Sequence, residues 1–139
     1  MKKLNDIPAI LLIDEEEIVN MINKTVIRRT GYQGEIMAFQ SGQEGFNFIE
    51  KLVSQNGPTK HPYLLLLDLK MPGFSGWDFL NKFLSLKESD RKQFKIAILT
   101  SSDKESDIEE SNKYKEVLQF SFKPLTKHSF LKIIDAIQN

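Results

Sequence analysis

One short segment, residues 64–73, constrains the fold of this chain more than any other. Four consecutive leucines lead into Asp68, and the turn-forming pair Pro72-Gly73 follows. An apolar run of this length, bounded by Pro62 and by the Pro-Gly pair, is typical of a strand buried on both faces of a sheet. A carboxylate is costly to bury at the end of such a strand. In open parallel α/β sheets, however, that end is where ligands bind. Asp68 is therefore predicted to be either a paired structural acid or a reactive centre.

The composition indicates one globular domain over residues 1–139, with no separate output domain. Lys plus Arg and Asp plus Glu both total 19, so the charge balance does not indicate binding to nucleic acid or to a membrane surface. The absence of cysteine excludes disulfides and thiolate chemistry. No signal peptide or transmembrane segment is recognisable, and we expect a cytoplasmic protein.

Short apolar runs that alternate with segments of helical apolar spacing predict five strands, each followed by a helix. The predicted strands cover residues 8–13, 34–39, 64–67, 94–99 and 117–122. The predicted helices are residues 15–29, a helix capped by Ser41, a helix starting near Ser75, residues 104–114 and a helix starting near Thr126.

Apolar residues at helical spacing support four of the five helices. The first helix is indicated by Ile18, Met21, Ile22 and Val26. The residues predicted to be buried in the second, third and fifth helices are Phe46, Ile49, Leu52 and Val53, then Phe79, Leu80, Phe83 and Leu84, and finally Phe130, Ile133, Ile134 and Ile137. The fourth helix has almost no large apolar residues except Ile108 and Tyr114. This poor pattern slightly favours a weakly held helix that can move, over a merely polar surface helix.

Strands that alternate with helices through short connections indicate right-handed βαβ units and a parallel sheet covered on both faces. The first, third and fourth strands are the most apolar, so they are expected to be central. The predicted fold class is therefore α/β, a flavodoxin-like (βα)5 doubly wound sheet with strand order 2-1-3-4-5.

Polar or charged side chains follow four of the predicted strands. Because the carboxyl ends of parallel strands share one edge of the sheet, these groups are expected to converge. They are Asp14, Glu15, Asp68, Thr100 and Lys123, the last followed by Pro124. Three carboxylates at one site repel one another, and a hard divalent cation with all-oxygen ligands, preferably Mg²⁺, relieves that repulsion.

The lysine and the threonine extend this chemistry towards phosphate. An ammonium is a movable positive charge that suits a phosphoryl oxygen, and the Thr100 hydroxyl can donate a hydrogen bond to another. The cluster is typical of a site that transfers a phosphoryl group to a carboxylate. Asp68 is the predicted nucleophile and an aspartyl phosphate the predicted product.

These residues resemble the receiver domain of two-component response regulators over nearly the whole chain. Each motif is weak alone, but five in the family's order form a specific pattern. The matching elements are the acidic pair in residues 11–15, the phosphoacceptor strand and turn in residues 67–73, Gly76, Thr100-Ser101, and Phe122-Lys123-Pro124.

The resemblance implies roles around the phosphoacceptor. Asp68 would accept a phosphoryl group from a phosphohistidine on a sensor histidine kinase or on a histidine phosphotransfer protein. Mg²⁺ would be bound by Asp14, Glu15, Asp68 and the backbone carbonyl of Lys70. The implied protein is a signalling module and not an enzyme.

The resemblance also implies a switch. Thr100 and Lys123 would hold the phosphoryl oxygens, and movement of Thr100 would allow Phe120 to turn inward. The surface of the fourth helix, fifth strand and fifth helix would then change. Output would pass through an unidentified downstream protein, a phosphorelay or weak dimerisation through that surface, without direct binding to nucleic acid or membrane.

Three residues depart from the commonest family pattern. Glu15 stands where aspartate is commoner and is one methylene longer. Lys70, two residues after the phosphoacceptor, faces the mouth of the site, where it can shield the phosphate or alter partner choice. Phe120 lacks the hydroxyl of a tyrosine.

Other interpretations stay open at this point. A pseudo-receiver would keep the fold without phosphorylation, and a receiver excised from a larger protein would have the same sequence. An aspartyl-phosphate phosphatase generally needs a second acid two residues after the nucleophile, and position 70 is a lysine. Taken singly, Thr100 could cap a strand end, Lys123 could be a surface lysine, and Phe120 could be a static core aromatic. His61, His128 and Trp77 are assigned no role.

Overall fold

The computed structural model describes residues 2–101 and 104–138. The strands in these ranges are β1 (Ala9–Ile13), β2 (Glu35–Phe39), β3 (Tyr63–Leu67), β4 (Phe94–Thr100) and β5 (Val117–Phe122). The helices are α1 (Glu17–Arg29), α2 (Gly42–Gln55), α3 (Gly76–Phe83), α4 (Glu88–Arg91), α5 (Glu105–Ser111) and α6 (Lys127–Gln138), with a 3-10 turn at Lys2–Asp6. None of the helices in the described ranges has the length and apolar character needed to cross a membrane.

The five strands form one parallel sheet in the order β2-β1-β3-β4-β5, which confirms the predicted flavodoxin-like topology. β1 lies between β2 and β3, with Ile13 opposite Leu67 at the carboxyl end of the pair. Every residue of β1 and β3 is buried. The continuous apolar runs in these two strands are explained by helices that cover both faces of the sheet.

Alternate residues of each strand enter different apolar layers. The side chains of Leu11 and Leu65 pack in the layer under α2 and α3. Their neighbours Leu12 and Leu66 pack in the opposite layer, under α1 and α6. The two-residue period of a strand therefore divides one apolar run between two cores.

The face that α1 buries differs from its apolar stripe. The predicted helix is present, but Ile18, Met21 and Ile22 are 68%, 61% and 51% exposed. The buried residues of α1 are instead Asn20, Asn23 and Ile27. Helical spacing therefore identified the helix correctly. Of its predicted apolar stripe, Val26 packs partly buried against the core, while the other three residues lie on the outer surface.

The region between α3 and β5 also differs from the sequence prediction. α3 ends at Phe83, and Leu84, which was predicted to be buried, is 45% exposed. The short helix α4, missed in the sequence, follows. The predicted helix over residues 104–114 is shorter in the structure, where α5 ends at Ser111 and Tyr114 packs beyond it in the apolar layer. The predicted surface of fourth helix, fifth strand and fifth helix corresponds to α5, β5 and α6.

Candidate functional site

Asp68 lies directly after β3, in the crevice at the carboxyl end of the sheet. Its backbone N–H donates to the carbonyl of Ile13 at 3.0 Å, which extends the pairing of β1 and β3 by one residue. The Asp68 side chain is buried, and its Oδ1 accepts a hydrogen bond from the Lys70 N–H at 3.3 Å. This carboxylate is therefore held in a defined direction at the topological switch point, where α/β sheets bind ligands.

The turn after Asp68 is packed closely against the start of α3. Gly73 has φ of +79°, in the left-handed region that favours glycine. The Gly76 N–H donates to the Leu69 carbonyl at 2.9 Å. A Cβ at position 76 would lie 2.5 Å from the Asp68 carbonyl oxygen. Only glycine fits this approach without a shift of the Asp68 backbone.

Lys123 joins the two buried aspartates at this edge. Its Nζ lies 2.7 Å from Asp14 Oδ2 and 3.3 Å from Asp68 Oδ2. Both carboxylates are 5% exposed and the lysine side chain is 19% exposed. The ammonium and two carboxylates carry one negative charge in excess, which leaves the site attractive to a further cation.

The peptide around Asp14 is held by several hydrogen bonds. The Asp14 N–H donates to the Phe39 carbonyl at 3.1 Å, and Asp14 Oδ1 accepts from the Glu16 N–H at 2.9 Å. The amide Nδ2 of Asn20 donates to the Asp14 carbonyl at 3.0 Å. The backbone and the carboxylate of Asp14 are therefore both fixed before any ligand binds.

Glu15 is placed differently from the two aspartates. Its side chain is exposed, and its carbonyl accepts a bond from Gln40 Nε2 at 3.4 Å. Among the residues that the structure describes, no three His, Cys, Asp or Glu side chains are grouped closely enough to hold a metal ion. The structure thus brings two of the three predicted acids together, and the metal-binding role of Glu15 stays a prediction.

Thr100 and Lys123 are linked through the backbone. Thr100 is fully buried at the end of β4, opposite Phe122 in the β4–β5 register. Its carbonyl accepts from the Lys123 N–H at 2.9 Å. The Lys123–Pro124 peptide bond is cis. Lys123 directly follows the edge strand β5, and its hydrogen bond to the Thr100 carbonyl holds it against β4.

Burial and charge shift the pKa of two site residues. Desolvation raises the pKa of Asp68, and the negative charge of Asp14 raises it further, while Lys123 and the Lys70 N–H oppose the rise. Desolvation lowers the pKa of Lys123, but the hydrogen bond to Asp14 and the two negative charges outweigh it, so the net shift is upward. Lys123 therefore stays charged at neutral pH. The nearby ammonium only partly offsets the burial and the Asp14 charge that oppose ionisation of Asp68.

The resemblance also assigns roles to Phe120 and Lys70. Phe120 is half-buried against the apolar layer under α3, and its ring meets that of Phe122 edge-on at 5.6 Å. The Lys70 side chain is exposed. Both placements are compatible with the roles implied by the resemblance, which stay predictions.

The family of the chain follows from comparison with known proteins. The family model of the response regulator receiver domain matches residues 10–135. The chain therefore belongs to the family of response regulator receiver domains. A search of curated proteins finds no match.

Solved structures of response regulators share this fold. A two-component response regulator from Cytophaga hutchinsonii is 27% identical, with a TM-score of 0.85 over 96% of this chain and 98% of that one. The bacteriophytochrome response regulator AtBRR is 26% identical, with a TM-score of 0.76 over 95% and 93% of the two chains. The Mn²⁺-bound form of response regulator Rcp1 is 23% identical, with a TM-score of 0.70 over 94% and 91% of the two chains.

The donor set at the sheet edge suits a divalent cation. The carboxylates of Asp14 and Asp68 already converge on one cationic centre, the Lys123 ammonium. Their oxygens are the hard ligands that Mg²⁺ and Mn²⁺ accept. Burial, and then the negative charge of Asp14, raise the pKa of Asp68, and a cation beside the two carboxylates would lower it.

Asn20 was missed in the sequence. It lies outside the recognised motifs, and an asparagine within a helix is usually a surface residue. The capping box at the start of α3 was also missed, although the pair Ser75 and Asp78 has the spacing of such a box. Their reciprocal bonds, from Asp78 N–H to Ser75 Oγ at 3.1 Å and from Ser75 N–H to Asp78 Oδ2 at 2.9 Å, fix the helix start beside the phosphoacceptor turn.

Proposed function

We propose that this receiver domain accepts a phosphoryl group on Asp68 and relays the signal through a changed protein surface. The observation that carries the proposal is the convergence of Asp68, Asp14 and Lys123 at the carboxyl edge of the sheet. An Asp68 oxygen attacks the phosphorus of a phosphohistidine, the P–N bond breaks, and the imidazole leaves with a proton. The products are an aspartyl phosphate and free histidine.

A divalent cation, with Mg²⁺ proposed as the physiological ion, would be held by Asp14, Asp68 and the Lys70 carbonyl, with Glu15 reaching it through water. This ion would neutralise negative charge on the phosphoryl oxygens. Support comes from the excess negative charge of the site and from the relative Rcp1, which has a Mn²⁺-bound form. The hydrogen bonds around Asp14 hold its carboxylate in place for this role.

Three side chains are proposed to convert the modification into a surface change. Lys123 moves its ammonium from the carboxylates to a phosphoryl oxygen, and the Thr100 hydroxyl donates to another. The space behind Thr100 is then available to Phe120, whose ring lies on the neighbouring strand beside Ile98. The surface of α5, β5 and α6 changes as a result.

Lys70 is proposed to tune the lifetime of the phosphate. Its side chain is exposed beside the Asp68 turn, while its backbone N–H binds the Asp68 carboxylate. An ammonium at the mouth of the site can pair with the phosphoryl group and obstruct the approach of water.

The phosphoryl donor is proposed to dock on the outer face of α1. Ile18, Met21 and Ile22 form an exposed apolar patch there. A groove lined by Ile22, Lys123 and Pro124, among others, joins the patch to the site. Exposed apolar patches of this kind mark protein-binding surfaces, and this one borders the groove that Lys123 lines.

Incorporation of phosphate tests the central step. The chain with Mg²⁺ and acetyl phosphate is expected to gain one phosphoryl group, detected by intact mass, and Asp68→Asn is expected to gain none. Addition of EDTA should prevent the gain in the wild-type chain. Phosphate incorporation by Asp68→Asn, or none by the wild-type chain, would overturn the proposal.

Two donors separate docking from chemistry. The doubly substituted variant Ile18→Ser, Ile22→Ser should lose at least tenfold in the rate of phosphotransfer from a histidine phosphotransfer protein. Its rate with acetyl phosphate should be unchanged, because that donor needs no α1 surface. Leu84→Ser is the control, since Leu84 is a similarly exposed apolar residue at the end of α3. Equal loss with both donors would rule out docking at α1.

A further inference from the structure

Asn20 is a buried polar residue that the proposed phosphoryl chemistry does not use. It lies in the second turn of α1 and is 3% exposed. Its Nδ2 donates to the carbonyl of Asp14 at 3.0 Å and to the carbonyl of Phe39 at 3.4 Å. One amide group therefore connects the residue after β1 with the last residue of β2.

The same connection reaches the start of α1. The backbone N–H of Asn20 donates to the Glu16 carbonyl at 3.2 Å. The Glu16 N–H in turn donates to Asp14 Oδ1 at 2.9 Å. The loop of Asp14, Glu15 and Glu16 is thus closed by its own hydrogen bonds. Asn20 supplies side-chain bonds that hold it to the sheet, beside the bond from Gln40 Nε2 to the Glu15 carbonyl.

The carbonyl oxygen of the Asn20 amide bears on why an asparagine is present. Within the described part of the chain, Asn20 Oδ1 is buried and has no hydrogen-bond partner. An unsatisfied buried acceptor costs free energy that an apolar residue of similar size would avoid. The two bonds from Nδ2 are the evident compensation. One gives the Asp14 carbonyl a donor, and the other adds a second donor to the Phe39 carbonyl, which also accepts from the Asp14 N–H.

We propose that Asn20 is a positioning residue for the cation site. By holding the carbonyl of Asp14 against the end of β2, it keeps the Asp14 carboxylate aimed at the shared centre with Asp68. Its effect on cation affinity rests on the proposed function, whereas its hold on the Asp14 loop does not. Groups that orient a metal-binding residue commonly change metal affinity by roughly ten- to a hundredfold when they are removed.

Asn20→Ala tests this role, with Asn23→Ala as the matched control. Asn23 is also a buried asparagine of α1, one turn further along. Within the described residues its side chain makes no hydrogen bond to Asp14 or Phe39, so its truncation reports the general cost of a buried amide. The full chain and both variants are titrated with Mg²⁺ by calorimetry, and exchange of the Glu16 backbone amide is followed by NMR.

Asn20→Ala is expected to weaken Mg²⁺ binding by about tenfold and to speed exchange of the Glu16 amide, while Asn23→Ala changes neither. Wild-type affinity in Asn20→Ala together with unchanged Glu16 exchange would overturn the proposal, as would equal effects in both variants. If the wild-type chain binds no Mg²⁺, the metal part of the proposed function and the affinity role of Asn20 both fail. Faster Glu16 exchange would then support only the hold on the loop.

Discussion

α1 and α5 lie on opposite faces of the same sheet, and they are attached to it in different ways. α1 is joined to the sheet at its start through Asn20. At its end, Arg28 donates to the carbonyls of Tyr32 and Gly34 at 3.0 and 2.7 Å. In α5 the buried residue is Ser111. The main anchor of that segment is Tyr114, beyond the helix end.

The anchor of α5 reaches back to the phosphoacceptor turn. The Tyr114 ring stacks on Trp77 with centroids 6.2 Å apart, and its hydroxyl donates to Asn81 at 2.9 Å. Trp77 follows Gly76, which is bonded to Leu69 in the turn after Asp68. The α1 side holds the Asp14 loop in place, and we expect the α5 side, whose aromatic anchor lies beyond the helix end, to be the side that moves.

Removal of the Lys123 ammonium is expected to have the largest effect on the stability of the fold. Lys123→Met leaves two buried carboxylates without a positively charged partner. It is expected to lower the free energy of unfolding by about 3 kcal/mol at neutral pH. Because folding raises the pKa of Lys123 above 10.5, the stabilisation by this lysine should be complete below pH 10.5 and lost as the pH rises through its folded value. Urea unfolding across pH measures both effects.

The matched control for the lysine is Lys113→Met. Lys113 pairs with Glu110 at 3.0 Å, but its side chain is 71% exposed. Solvent screens such a pair, so the expected loss is below about 1 kcal/mol. Equal losses for the two lysines would show that the site does not depend on a buried charge.

Gly76→Ala should disturb the contact between α3 and the phosphoacceptor turn. The added Cβ would meet the Asp68 carbonyl oxygen at 2.5 Å, and overpacking of this kind costs about 2 kcal/mol. Gly57→Ala is the control, because a Cβ there has no neighbour within 4 Å. Thermal unfolding compares the two variants, and similar midpoints would contradict the close packing at Gly76.

A pair of tyrosine variants should sharpen the difference between the two sides. Tyr114→Phe removes the bond to Asn81 and is expected to cost about 1 kcal/mol, with faster amide exchange in α5 and unchanged exchange in α1. Tyr32→Phe removes the 2.8 Å bond to the Ile7 carbonyl. Its cost should be similar but should appear as a lower free energy of global unfolding. Equal acceleration in α1 and α5 by Tyr114→Phe would remove the distinction.

The smallest expected change comes from Asp68→Asn, and its sign is opposite. Desolvation and Asp14 raise the pKa of Asp68 above 3.8 in the folded chain, so its ionised form destabilises the fold. The variant should be slightly more stable than the wild-type chain at neutral pH. This gain should disappear as the pH falls through the folded pKa towards 3.8. A loss of stability at neutral pH would show that the bond to Lys123 outweighs the burial of charge.

The sequence alone determined the fold and the positions of the charged residues along the sheet edge. The leucine run before Asp68 and the alternation of strand and helix patterns were sufficient for the strand order, because buried parallel strands need continuous apolar residues. The placement of Asp14 and Lys123 followed from topology, since the carboxyl ends of parallel strands share one edge. Periodicity also located α1, although Ile18, Met21 and Ile22 do not face the core.

Only the tertiary structure decided how these residues are held. Whether a helix turns its apolar stripe inward depends on what the sheet and its loops require. In α1, Asn20 faces inward and donates to the carbonyls of Asp14 and Phe39. The exposure of Glu15 and the close approach of Gly76 to Asp68 likewise depend on distances between segments far apart in the chain. Local patterns specify which surfaces are apolar, while hydrogen-bond satisfaction and close packing, which are properties of the assembled fold, set the geometry of the site.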